Sequence, residues 1–248
     1  MVTLLAAGAT FGFTTLLTIA GVGAAFILIP IFLALGVELH TAMATALLLN
    51  AIAMAAASLR FVRAGLVVWR MALPLAVSAV VLSPVGAWVS QGLDRELLLW
   101  LFVGFLVFAA AMMLFYEPKG TDVARHQALW LPVGLAVGSA AGFVGGLLGV
   151  GGGNLIVPAL VVLGFDPKRA SATSALVVVF SSLAGSAGHL SMTGLDLPLL
   201  GLTALAAILG AALGSWLLTS RLSGRRVKQV IGVVLLGIAL QMGWGLLA

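Results

Sequence analysis

GGLLGVGGGNLIVPALVVLG, from Gly145 to Gly164, holds six glycines in the nine residues Gly145–Gly153, with a proline five residues further on. Nearly everything else in the stretch is Leu, Val, Ile or Ala. In a soluble protein a glycine cluster ahead of a helix can cradle a phosphate. GVGGGN, however, lacks the Gly-Lys-Ser/Thr ending of such a loop, and no strand precedes it.

Composition supplies the setting. The chain is 62% hydrophobic and 8% charged, with a mean hydropathy of +1.26, whereas a soluble domain carries roughly a quarter charged residues. It cannot cover itself with polar surface, so its solvent is lipid. The apolar runs are long rather than alternating, which predicts helices and not a β-barrel. The fold class is therefore an all-α polytopic membrane protein. Cysteine is absent, so disulfides, thiolate metal sites and Cys nucleophiles are excluded. The high pI, near 10.8, rests on only twelve Lys and Arg. These lie between apolar segments, which points to topology signalling rather than to nucleic acid as a partner. The first charged residue is Glu38, so the start does not read as a cleaved signal peptide.

Read outward, the cluster has an echo. GVGAAFILIPIFLALGVELHTAMATALLLN (Gly21–Asn50) aligns without a gap on GVGGGNLIVPALVVLGFDPKRASATSALVV (Gly149–Val178). Gly21, Val22, Gly23, Pro30, Leu35, Gly36, Ala42, Ala44, Thr45 and Leu48 all meet identical residues. We read an internal duplication. The first repeat, 1–118, has a glycine-broken hairpin at 2–36 and spans at 41–59, 66–90 and 97–116. The connector 119–128 is cytoplasmic. The second repeat, 129–248, has its hairpin at 129–164 and spans at 170–188, 197–220 and 227–247. Each broken stretch is too long for one ordinary span and too short for two.

Basic residues orient the copies, because Lys and Arg collect on the cytoplasmic side. If each broken stretch dips in and returns, the second copy is inverted. Arg60, Arg63, Arg70, Lys119, Arg125, Lys168, Arg169, Arg221, Arg225, Arg226 and Lys228 then fall inside, and only Arg95 falls outside. If each stretch crosses once, Lys168, Arg169 and the Arg221–Lys228 cluster move outside with Arg95. The first arrangement is expected: two inverted-topology repeats, both termini outside, and broken helices meeting near the midplane. That is a transporter architecture. A half-helix starting near Asn154 would direct free N–H groups at the membrane centre and favour an anion there. Packing is the competing use of glycine, since spacings such as Gly138–Gly142 and Gly210–Gly214 let membrane helices approach closely.

The residues GVGGGNLIVPAL with downstream ASATSAL, and the weaker echo GVGAAFILIPIF with AMATALLLN, resemble the sulfite exporter TauE/SafE (TSUP) family of bacterial and archaeal inner-membrane permeases. The resemblance implies an exporter of sulfite or another small sulfur-containing or organic anion. By resemblance the motif falls on Gly149, Gly151, Gly152, Gly153, Asn154 and Pro158, then on Ser171, Thr173 and Ser174. The first copy departs from it, with Ala24 and Ala25 for two glycines, Phe26 in place of Asn154 and Ala46 in place of Ser174.

The substrate-binding candidates are accordingly Gly21, Gly23, Thr45, Asn50, Gly151, Gly152, Gly153, Asn154, Ser171, Thr173 and Ser174. Pro30 and Pro158 shape the hairpins. The hydroxyls could complete an anion shell or bond their own helix carbonyls. Asn50, mid-span, must have a partner, either substrate or a neighbouring helix. Asn154 suits an N-cap or a substrate donor. Arg60 either reaches into a cytoplasmic vestibule or snorkels to the interface. His189 and Asp196, near outer span ends, are the candidates for a coupling proton, against a plain interfacial loop. The Trp residues mostly sit near span ends, as in an aromatic belt. No Asp, Glu or Lys lies deep in a span, so no metal or other cofactor is expected. The leading function is a carrier for a small anion in the lipid bilayer, working by alternating access. An anion channel of the same architecture is the alternative. An intramembrane enzyme built on Ser186 and His189 is the remote one, with HExxH and paired span aspartates both absent.

Overall fold

The computed structural model describes residues 2–21, 23–34, 36–115, 127–190, 197–220 and 224–247. The connector up to residue 126, Asp196 and Arg221 lie outside the described residues. All regular structure among the described residues is helical. The helices are α1 (Val2–Ala20), α2 (Ala25–Ala34), α3 (Leu39–Arg63), α4 (Trp69–Ser90), α5 (Arg95–Phe115), α6 (Trp130–Leu147), α7 (Gly153–Val162), α8 (Pro167–Leu190), α9 (Leu197–Ser220) and α10 (Gly224–Leu247). A 3₁₀ turn, Gln127–Leu129, leads into α6. Five segments are long and apolar enough to cross a membrane: Leu39–Arg63, Trp69–Ser90, Gln127–Leu147, Pro167–His189 and Leu200–Ser220. The protein is thus a multi-pass helical membrane protein. α2 and α7 have ten residues each, about 15 Å of helix and half of a hydrocarbon core.

Both half-helices end in the same way. Gly36 and Gly164 have positive φ, and the Val37 and Phe165 amides reach back to the Phe32 and Leu160 carbonyls at 2.9 and 3.0 Å. This is a Schellman stop. Two residues after each glycine an acidic side chain caps the next helix. Glu38 accepts from the His40 and Thr41 amides, and Asp166 accepts from the Lys168 and Arg169 amides. Pro167 follows Asp166 at the first helical position, where its missing N–H costs nothing. The sequence carried this Gly-x-acid corner twice, and its capping chemistry is what turns each half-helix sharply into a crossing helix.

α3 and α8 form the central seam and run antiparallel: His40 meets His189, Ser186 Oγ donates to the Ala44 carbonyl, and Asn50 meets Ser182. α4 packs along α6, and α1 along α9. Around the seam α4 lies on α8 and α9 on α3, while α5 pairs with α10. The short arms α2 and α7 pack on α3 and α8. The long arm of each glycine-broken segment therefore lies against a helix from the other half of the chain rather than along its own short arm. The two halves interlock, and neither is a separate body.

Glycines make this interlock possible. Along α6, Gly134, Gly138, Gly142 and Gly146 come every fourth residue against Pro74, Leu75, Ala79 and Ser83 of α4. A Cβ on Gly138, Gly142 or Gly146 would fall onto a backbone carbonyl of α4. Gly210 and Gly214 of α9 likewise face the Phe11 and Thr15 carbonyls of α1. Lipid gives no hydrophobic drive between helices, so close backbone contact is a main source of association. Gly142→Val should overpack α4–α6 and cost about 1–3 kcal/mol, read as a lower melting temperature in detergent. Gly104→Val, where a Cβ meets nothing within 4 Å, should leave it unchanged.

Candidate functional site

The first break, with Gly21, Gly23 and Ala24, reaches Ser171 of α8 and Asn50 of α3, and the second, 148–152, reaches Met43 and Asn50 of α3 and Val178 and Ser182 of α8. Gly21, Gly23, Gly149, Gly151 and Gly152 all have positive φ, between 68° and 78°. This left-handed backbone lets a helix stop inside the bundle, and a side chain there is strained. Each break also presses on the seam helix of the opposite half. A Cβ on Gly21 would strike the Ser171 backbone, and one on Gly149 would strike Met43 at 2.6 Å.

Asn50 ties the breaks together. It is fully buried, and its Oδ1 accepts from the Ala24 amide at 3.0 Å, capping the N-terminus of α2. Its Nδ2 donates to Ser182 Oγ at 3.0 Å. The neighbouring Ser181 hydroxyl donates to the Gly151 carbonyl at 2.9 Å. Gly23 and Gly151 have room for no side chain beside the Asn50 amide. Of the two partners expected for Asn50, substrate or a neighbouring helix, the structure supplies the helix through Ser182 of α8 and adds the first break through Ala24.

The second break has no such cap. The residue aligned with Asn50 is Val178, and Gly152, which precedes α7, makes no side-chain capping bond. The leading N–H groups of α7 have no intrahelical acceptor. Asn154, in the first turn of α7, is 1% exposed, and neither of its amide atoms has a hydrogen-bond partner. The hydroxyls of Ser171 and Ser174, fully buried on α8, have none either. Such groups normally cost about 1–3 kcal/mol each when left unpaired. In the first break, Phe26 fills the position of Asn154 and is wholly buried. The two ends thus differ: one is closed by an amide and a phenyl ring, and the other keeps the unpaired Asn154 amide, whereas Ser171 lies against Gly21 of the first break.

The remaining candidates fall elsewhere. Thr173 Oγ1 accepts from the Val68 amide at 3.0 Å, just ahead of α4, so its oxygen serves that helix start. Thr45 is buried in α3, and Gly153 and Pro158 are buried in α7. Pro158 withholds the N–H that would have bonded the Asn154 carbonyl. Pro30 lines a cavity of about 360 Å³ with Phe13, Ile27, Ile31, Ala34, Gly237 and Gln241, which none of the break glycines lines. Arg60 and Arg63, with Ala56, Leu59, Ala64 and Thr219, border a notch of about 550 Å³. Ser181 and Ser182, which join Asn50 to the second break, escaped the sequence reading. The signal was their spacing from Asn50 on an antiparallel partner, and only the packing supplies that.

Glu38 stands outside the spans. Burial pushes its carboxyl pKa up, but bonds from the His40 and Thr41 amides outweigh this and hold it below the ordinary 4.5. A lowered folded value means the unfolded chain takes the proton first. The cap's contribution is complete above the unfolded value and is lost as pH falls through the folded one. Glu38→Ala should lower the melting temperature at neutral pH by the worth of a cap, about 1 kcal/mol. The difference from wild type should vanish in acid, and a pH scan of both proteins checks it.

Comparison with known proteins identifies a family. The model of the sulfite exporter TauE/SafE family matches residues 4–242. The chain belongs to that family. A probable membrane transporter protein, YunE, of Bacillus subtilis (strain 168) is 36% identical over 114 residues, 44% of this chain and 40% of that one. Sulfite exporter TauE/SafE family protein 1 of Arabidopsis thaliana is 45% identical over 58 residues, 23% of this chain and 12% of the plant protein. Family protein 2 of the same plant is 39% identical over 64 residues, 26% and 13% of the two chains. Each match therefore spans less than half of the relative's length. No solved structure matches the chain significantly. The TauE/SafE proteins are membrane transporters, so membership makes this chain a transporter-family protein rather than a member of an enzyme family.

Proposed function

We propose that this TauE/SafE protein is a secondary carrier of a small anion, with sulfite the first substrate to test, and that it exports the anion across a bacterial-type inner membrane. The observation that carries this is Asn154, buried in the first turn of an uncapped half-helix with both amide atoms unpaired. Backbone N–H groups of α7 and the Asn154 amide offer an anion donors without a fixed charge, and Ser171 and Ser174 are further unpaired hydroxyls buried on α8. Gly151, Gly152 and Gly153 permit the close backbone approach. Gly21, Gly23, Thr45, Asn50 and Thr173 shape the frame around them. Arg60 and Arg63 would draw anions to the notch beside them.

The most extensive helix pairings are preserved when α1–α5 are exchanged for α6–α10, and the matching helices α3 and α8 run antiparallel. Both features support two inverted repeats, and the distribution of Lys and Arg in the sequence is what favours both termini on the outer side. Because the halves interlock, alternating exposure would come from movement about the breaks rather than from two rigid halves rocking. A saturating flux without a large single-channel current would favour a carrier over a channel.

A thermal-shift screen of the purified protein against sulfite, sulfate, thiosulfate, sulfoacetate, acetate and chloride tests the reading. An anion present at a hundred times its Kd should stabilise the folded state by about 2.7 kcal/mol. No shift with any anion, together with no sulfite flux in proteoliposomes, would sink it.

A further inference from the structure

At the end of the α3–α8 seam opposite Arg60 and Arg63, two imidazoles come together. His40, in the first turn of α3, and His189, in the last turn of α8, have ring centroids 5.8 Å apart. His189 is 1% exposed. The Nδ1 of His40 is also buried and has no hydrogen-bond partner. Nε2 of His189 lies 2.9 Å from the Gly146 carbonyl, and a carbonyl accepts, so the proton of the neutral ring sits on Nε2. The same carbonyl accepts from the Gly149 amide at 3.3 Å. Gly149 is the first left-handed glycine of the second break. A titratable ring and the break that carries the candidate anion site thus share one acceptor.

We propose that His40 and His189 form a one-proton binding site whose occupancy is transmitted through the Gly146 carbonyl to the second break, which makes H⁺ the coupling ion. The role as coupling ion rests on the transport reading, whereas the proton site itself does not. The chemistry follows from the geometry. A proton entering at Nδ1 makes His189 an imidazolium, whose Nε2–H becomes a charge-assisted donor and holds the shared carbonyl more strongly. The Gly149 amide, already the longer of the two bonds, is the one displaced. Two adjacent imidazolium ions repel, so the pair holds one proton and not two. The Glu38 carboxylate, which begins the same helix, balances that single charge.

No other ionisable side chain on the described helices packed against α8 competes for this role. α1, α6 and α7 carry none. α4 carries only Arg70, in its first turn, whereas its far end, at Pro84 and Ala87, is what faces Gly188. α10 carries Arg225, Arg226 and Lys228, confined to its first turns. Lys168 and Arg169 start α8 itself, at the opposite end from His189. Asp196, seven residues beyond His189, lies outside the described residues.

The chain has three histidines, so ¹⁵N-histidine labelling in phosphatidylcholine nanodiscs gives a readable spectrum. A second sample labelled on glycine reports the Gly149 and Gly151 amides. Across a pH titration, His189 Nδ1 and these amides should move with one shared midpoint. His40→Gln should shift that midpoint, as expected of interacting sites. His189→Gln keeps an N–H donor for Gly146 and should leave the Gly149 amide independent of pH. If that variant does not fold, the His40→Gln titration decides alone. Glycine amides that ignore pH, or a His189 midpoint unmoved in His40→Gln, overturn the proposal. If sulfite still stabilises such a protein, the proton site falls and anion transport stands. A coupled titration in protein that binds no anion keeps the proton site and removes the transport reading.

Discussion

Gly23→Ala should lower the melting temperature by on the order of 10 °C, far more than an alanine costs on the surface. Three losses combine. The residue sits at φ +78°, and holding alanine in that region costs about 1–2 kcal/mol. The new methyl occupies the place of Asn50 Oδ1, so the Asn50 side chain must leave. The Ala24 amide then loses its acceptor and Ser182 loses its donor, at about 1–3 kcal/mol for each buried group left unpaired. The sum is about 3 kcal/mol or more, and a protein of this length shifts by roughly 2–4 °C per kcal/mol. The six tryptophans make intrinsic fluorescence a direct readout. Asn50→Ala should be costly by the same route. The double variant Gly23→Ala/Asn50→Ala should lose clearly less than the sum of the singles, because both break the same bonds. Strict additivity would show that Asn50 does not hold the first break.

Asn154→Leu should do the opposite to stability while removing function. The wild-type amide is buried with no partner for either atom, so an apolar side chain of similar volume relieves a desolvation penalty. The unliganded protein should gain about 1–3 kcal/mol. The aligned Phe26 shows that this place in the fold accepts an apolar side chain. Anion-dependent stabilisation should fall at least about tenfold in apparent affinity, since a hydrogen bond to a charged ligand contributes about 1.5–3 kcal/mol. A melting curve with and without sulfite separates the two effects. A variant that is destabilised and still binds sulfite would mark Asn154 as a structural cap and move the site elsewhere.

Much of this was legible in the residues. The lipid environment follows from composition alone, because so few charges cannot dress a folded surface in water. The half-helices follow from glycine clusters beside Pro30 and Pro158, since a broken helix leaves backbone groups that must be satisfied within the bundle. The weaker chemistry of the first copy was visible in Ala24, Ala25 and Phe26. Gly138, Gly142, Gly210 and Gly214 could be read as packing positions by their spacing, though not against which helix.

Partnership is where one-dimensional reading stopped. Asn50 needed a partner, but that it caps α2 and reaches Ser182 depends on α3 and α8 lying antiparallel in one register. Thr45 and Thr173 look equivalent in the alignment, yet the Thr173 oxygen is taken by the Val68 amide, which only the placement of α4 brings near. His40 and His189 are 149 positions apart in the chain and become neighbours solely through that same register. Local chemistry, meaning which residues tolerate lipid, break a helix or cap one, is written residue by residue, and so the sequence by itself determined the elements. Which buried donor meets which acceptor is set by the docking of distant backbones. The tertiary structure alone therefore decided that the first break is closed by Asn50 and that the second keeps its donors unpaired.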